Sequence, residues 1–79
     1  MVRVSFNPEF SRVFSRIRDS SLKEKIIKQF RKIQENPEVG KPMRYARKGS
    51  REVYVAPFRL SYLYIKEEEK ILFINLYHK

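Results

Sequence analysis

The apolar residues of this chain change their spacing twice, and that order limits what it can fold into. Val2, Val4 and Phe6 alternate with Arg3 and Ser5, the period of two of a half-buried strand. Phe10, Val13, Phe14 and Ile17 then recur at helical spacing. So do Leu22, Ile26, Ile27, Phe30 and Ile33, which mark the buried face of a second helix. The strand pattern returns in Val53-Tyr54-Val55, in Phe58–Ile65 and in residues 71–77. The order β-α-α-β-β-β predicts an α+β fold. Its sheet is four-stranded and mostly antiparallel, with a two-helix hairpin packed on one face. The last strand is apolar on both parities and is expected near the centre of the sheet. The whole chain, residues 1–79, reads as one domain.

Local signals support this division. Asn7-Pro8-Glu9 reads as a helix start: an Asn cap, a proline with its φ already set, and a carboxylate at the positive end. Asp19 and Ser20 separate the helices, and Ser21 with Glu24 fits a capping box for the second. Asn36-Pro37 ends that helix, because the residue before a proline disfavours the helical region. Residues 37–50 read as loop, Ala56-Pro57 as a tight connection, and residues 66–70, rich in glutamate, as a solvated turn.

Charge narrows the function. Eighteen Lys and Arg stand against nine Asp and Glu, a formal charge of +9. A domain this basic predicts an anionic partner. There is no cysteine and one histidine, so thiol chemistry is excluded and a zinc or haem site is hard to build. No cofactor is expected. No apolar run approaches a membrane span and no signal segment is evident, which suggests a cytoplasmic protein with no membrane partner.

The cations concentrate. Arg44, Arg47, Lys48 and Arg51 lie in a stretch with no carboxylate, with Tyr45 among them. Tyr54, Arg59, Ser61, Tyr62, Tyr64, Tyr77 and His78 follow on the strands. Arginines beside tyrosines suit RNA, since the cations meet phosphates and the rings stack on unpaired bases. Arg44, Arg47, Lys48, Arg51, Tyr54, Ser61 and Tyr77 are the candidate RNA-binding set. Arg59 is the most informative of these strand residues. It sits inside the apolar strand Phe58-Arg59-Leu60-Ser61-Tyr62, where a guanidinium is costly unless it is paired or faces a wet groove. A place at the edge of the sheet, a pair with Glu52 or an anion site on a concave face would each account for it. His78 shares the parity of Leu72, Ile74 and Leu76, so spacing does not decide which way it faces.

Taken together, "KIQENPEVGKPMRYA" and "REVYVAPFRLSYLYIKEEEKILFINLYHK" resemble the RelE/ParE superfamily of toxins from type II toxin–antitoxin systems. The likeness lies in the order of a helix ending in Asn-Pro, a Gly-Lys-Pro loop, an Arg-Leu-x-Tyr strand, an acidic hairpin turn and a last strand ending near a histidine or a basic residue. It implies a ribosome-dependent mRNA endoribonuclease that works without a metal in the ribosomal A site. There the ribose 2′-hydroxyl attacks the adjacent phosphate. It also implies an acidic, RelB-like antitoxin as partner. By the same resemblance Arg59 matches the strand arginine that contacts the scissile phosphate. His78 matches the acid–base histidine of the YoeB-like branch, and Lys79 falls where other members carry an arginine or a tyrosine. This sequence departs from the pattern at Glu52 and Tyr54, where one RelE branch has lysines, and at Met43 and Arg44, which stand near the YoeB-like acidic residue. Two alternatives share the fold: a ParE-like inhibitor of DNA gyrase, and a non-catalytic RNA- or ribosome-binding relative.

Overall fold

The computed structural model describes residues 2–44 and 47–78. The elements are β1 (Arg3–Phe6), α1 (Pro8–Arg16), α2 (Ser20–Glu35), β2 (Lys41–Pro42), β3 (Ser50–Val55), β4 (Phe58–Ile65), a 3-10 turn (Lys66–Glu68) and β5 (Lys70–His78). The sheet runs β1-β5-β4-β3-β2, with β1 parallel to β5 and every other pair antiparallel. The α+β class and the element order agree with the sequence. The strand count does not: the sheet has five strands rather than four. The extra strand, β2, lies inside the segment read as loop. It pairs Lys41 with Glu52 and Pro42 with Arg51. Two residues carry no readable period, and the proline is tolerated because this is an edge.

Both helix starts are capped by short polar side chains. Asn7 Oδ1 accepts from the Glu9 N–H at 3.2 Å, with Pro8 opening α1. For α2 the cap is Asp19, not Ser21. Its Oδ1 accepts from the N–H groups of Ser21 at 2.9 Å and Leu22 at 3.3 Å. An ionised carboxylate two residues earlier satisfies the same orphan donors and also meets the helix dipole. At the other end the Asn36 N–H bonds to the Lys32 carbonyl and closes the helix.

The core lies between the helices and one face of the sheet. Phe10, Ile26, Ile33, Val55, Leu60, Tyr62, Ile71, Phe73 and Leu76 are buried there. Phe73 is the hub of its aromatic part, with ring centroids 4.8 Å from Phe30, 5.2 Å from Phe6, 5.6 Å from Phe10 and 6.1 Å from Tyr62. Ile27, assigned by spacing to the buried face, is 40% exposed.

A β-bulge explains the mixed parity of β5. Ser61 pairs with Asn75, but the next residue, Tyr62, pairs with Phe73, so Ile74 is the extra residue. The bulge turns Ile71, Phe73 and Leu76 to the same side although their spacing is not even. It therefore sends Tyr77 to the open face and His78 to the helix side.

Tyr62 ties the sheet to the loop after α2. Its hydroxyl donates to the Pro37 carbonyl at 2.8 Å and accepts from the Gly40 N–H at 2.9 Å. A Cβ at Gly40 would stand 2.6 Å from that hydroxyl, so the close approach needs glycine. Tyr62→Phe is expected to cost about 1–3 kcal/mol, because two polar groups lose their partner where water has little access. Urea unfolding at constant slope checks this, and a change under about 0.5 kcal/mol would mean that water replaces the hydroxyl.

Candidate nucleic-acid interface

The face of the sheet away from the helices carries the polar residues. The register of β3, β4 and β5 sets Glu52, Ser61 and Asn75 side by side, and Tyr54, Arg59 and Tyr77 in the next row. Lys41 joins the first row from β2. Directly opposed residues share a face, so these seven side chains project together. The two-residue turn at Ala56-Pro57 sets this register by pairing Val55 with Phe58.

Glu52 is the centre of the group. Its Oε1 accepts from Arg59 Nη1 at 2.9 Å, and its Oε2 accepts from the Tyr77 hydroxyl at 2.8 Å. Arg59 is 35% exposed and Glu52 21%, so the pair sits at the mouth of the face rather than within the core. Lys41, Glu52, Tyr54 and Arg59 line a cavity of about 240 Å³. Tyr54 is 58% exposed beside it. Ser61 is buried, and its hydroxyl donates to the Asn75 carbonyl at 3.4 Å. Two cations, one carboxylate and one phenol thus line a space large enough for a phosphate, and Tyr77 braces the carboxylate. Among the described residues, one of the five N–H donors of Arg59 goes to Glu52.

Burial raises the Tyr77 phenol above its ordinary value, the bond to Glu52 and that carboxylate's charge add to the rise, and Arg59 opposes it. Tyr62 is raised as well, first by burial. The unfolded chain loses both phenolic protons from about pH 10. The folded chain holds them to higher pH. Above pH 10 the unfolded state therefore binds fewer protons, and stability falls as pH rises until the folded phenols also titrate. Tyr77→Phe is expected to make that fall shallower. Urea midpoints between about pH 9 and pH 11 would show it, and an unchanged slope would contradict it.

The sequence-derived candidates divide by location. Arg59, Tyr54, Tyr77 and Ser61 come together on the open face. Arg51 does not. It pairs with Tyr62 in the register, on the helix side, and its Nη1 donates to the carbonyls of Gly40 at 2.7 Å and Glu38 at 3.0 Å. It pins the loop after α2. Arg44, Arg47 and Lys48 are exposed in the connection between β2 and β3. Arg47 and Lys48 line a separate cavity of about 480 Å³ with Arg51, Lys66, Glu38 and Glu67. His78 pairs with Phe58, its ring edge-on at 5.5 Å, on the side of the sheet opposite Arg59. The structure therefore does not bring His78 and Arg59 together. Lys79, the third candidate catalytic residue, and Tyr45 lie outside the described residues. Sequence reasoning left Lys41 and Glu52 out of the site. Counting back from the two-residue turn would have placed Tyr54 opposite Arg59 and Glu52 diagonal to it.

Comparison with known proteins adds three findings. Residues 4–79 match the family model described as the ParE toxin of the type II toxin–antitoxin system parDE. No curated protein matches the sequence. Among solved structures, the intact E. coli RelBE toxin–antitoxin complex contains a chain matched at a TM-score of 0.87 and 17% identity, over 100% of this chain and 98% of that one. The isolated E. coli RelE toxin matches at 0.83 and 17%, over 99% and 84%. The RelBE2 toxin–antitoxin complex of Mycobacterium tuberculosis matches at 0.80 and 22%, over 99% and 98%. At these identities the likeness to the solved structures is one of fold.

Proposed function

This chain belongs to the ParE toxin family of type II toxin–antitoxin systems, and from its Arg59 face we propose that it arrests growth by cleaving mRNA in the ribosomal A site. The observation that carries the reading is Arg59, held partly exposed on an open sheet face between two tyrosines. RNA contains its own nucleophile, the 2′-hydroxyl, so a protein site has only to hold the phosphate, stabilise its developing charge and move protons. Arg59 supplies the first two. Tyr54 and Tyr77 flank it as platforms for unpaired bases. Arg44, Arg47 and Lys48, exposed in the connection between β2 and β3, add sequence-independent attraction for the backbone. The acid–base roles of His78 and Lys79 rest on the resemblance, and His78→Ala tests the first of them.

The partner in this reading is an acidic antitoxin. Two of the structures this fold matches are toxin–antitoxin complexes. A disordered acidic segment folding over a +9 chain would associate fast and cover the Arg59 face.

The experiment is cleavage of a defined mRNA with and without translating ribosomes, mapped by primer extension. Cuts within the A-site codon, made only when ribosomes are present, are the expected result. Intact mRNA would overturn the reading. A second reading, inhibition of DNA gyrase by binding, is favoured by the family match and by the carboxylate that neutralises Arg59. Intact mRNA together with blocked supercoiling would establish it instead.

A further inference from the structure

From the placement of its carboxylate we infer that Glu52 is the group that takes the proton from the attacking 2′-hydroxyl. The inference rests on the endonuclease reading and assigns a catalytic residue to it. Glu52 Oε1 is 2.9 Å from Arg59 Nη1. A phosphate held by the remaining donors of the same guanidinium must therefore lie beside this carboxylate. Among the residues lining the cavity, Glu52 is the one carboxylate; the others are Lys41, Tyr54 and Arg59. Each of its oxygens accepts one bond, from Arg59 and from Tyr77. A carboxylate has about four lone-pair sites, so capacity remains for a substrate hydroxyl. The two donors also fix its direction, and the Tyr77 phenol, with its raised pKa, keeps its proton and the bond.

The charges favour this assignment. Before reaction, a singly charged phosphate sits beside a charged carboxylate, and the two repel. As the O2′–P bond forms, the phosphoryl group gains a second negative charge. The 2′-hydroxyl proton passes to Glu52, which becomes neutral, so the repulsion disappears as the transition state is reached. An interaction that improves only in the transition state raises the rate rather than the affinity. The P–O5′ bond then breaks, and the 5′-oxygen takes a proton from water. The proton on Glu52 returns to the resulting hydroxide. The products are a 2′,3′-cyclic phosphate and a 5′-hydroxyl, with no net proton change.

The test is single-turnover cleavage of ribosome-bound mRNA across pH by the wild-type chain and by Glu52→Gln, Glu52→Asp and Arg59→Ala. Thermal melts report whether each variant folds. Glu52→Gln is expected to slow cleavage about 10²–10³-fold with ribosome binding intact, and Glu52→Asp to recover part of the loss. The wild-type profile should show an acid limb that Glu52→Gln lacks, with Lys41, Tyr54, Arg59 and Tyr77 as the charged and titratable neighbours of this carboxylate. Cleavage by Glu52→Gln within about threefold of wild type, or faster, would overturn the inference. The faster outcome would make Glu52 a lock on Arg59. A slow variant that keeps the acid limb would overturn it too. If the wild type does not cleave, the endonuclease reading falls and takes the inference with it. If the wild type cleaves, Arg59→Ala does not and Glu52→Gln does, the inference alone falls.

Discussion

Arg59→Ala is expected to reduce mRNA cleavage by about 10³-fold or more while leaving the protein folded. A positioned donor to developing oxyanion charge contributes roughly 10²–10³ in rate, and an arginine on a transferring phosphoryl group contributes more. The effect on stability should be small. The Arg59–Glu52 pair is partly exposed, and pairs of that kind contribute about 0–1 kcal/mol. Glu52 would keep its bond from Tyr77. Arg59→Lys should recover only part of the rate, because an ammonium keeps the charge but cannot grip Glu52 and a phosphate with one planar fork. The measurement is single-turnover cleavage beside a thermal melt. A melting point within a few degrees of wild type with cleavage lost supports the assignment. Full activity in Arg59→Ala would remove the central residue from the proposed mechanism.

How much of this was legible before the structure depends on the kind of signal. Helices and long strands were legible because their burial repeats: Phe10, Ile26 and Ile33 lie where helical spacing puts them, and Leu60 and Tyr62 where alternation does. β2 was not, since two residues cannot show a period and their pairing is a tertiary event. The side taken by His78 was hidden for a different reason. Alternation assumes an unbroken pleat, and the extra residue at Ile74 reverses the parity of everything after it. Arg59 could be picked out because a guanidinium in an apolar strand violates a local rule, and such violations concentrate at sites. Its companions were harder. Glu52 lies seven positions earlier and meets Arg59 only through the hairpin register. Arg51, next to Glu52, reads as the same kind of charge yet points to the opposite face and serves the loop after α2. Charge composition indicated an anionic partner, but the direction of each side chain had to come from pairing.

Phe73→Ala is expected to have the largest effect on stability. The side chain is fully buried and touches rings from β1, α1, α2 and β4. It is thus the point where the helix layer, the parallel edge and the antiparallel sheet are held together. Truncating a buried phenylalanine costs about 3–5 kcal/mol, part transfer free energy and part cavity. A chain of 79 residues has roughly 4–12 kcal/mol in total on the usual per-residue scale, so the variant should melt about 15–30 °C lower or fail to fold. Phe6→Ala is the informative control. Phe6 stacks on Phe73 but is 44% exposed, so its loss should cost about 1–2 kcal/mol. Equal costs for the two variants would mean that the helices are held mainly through β1, not through the centre of the sheet. The consequence reaches the open face. Phe73 is the last residue of β5 paired before the bulge, opposite Tyr62, and the register beyond the bulge is what sets Tyr77 beside Arg59. A smaller side chain at 73 removes the packing that holds Ile74 as the extra residue. Cleavage by a folded Phe73→Leu variant should therefore fall further than its melting point suggests, with the loss shared by Tyr77→Phe and not additive with it.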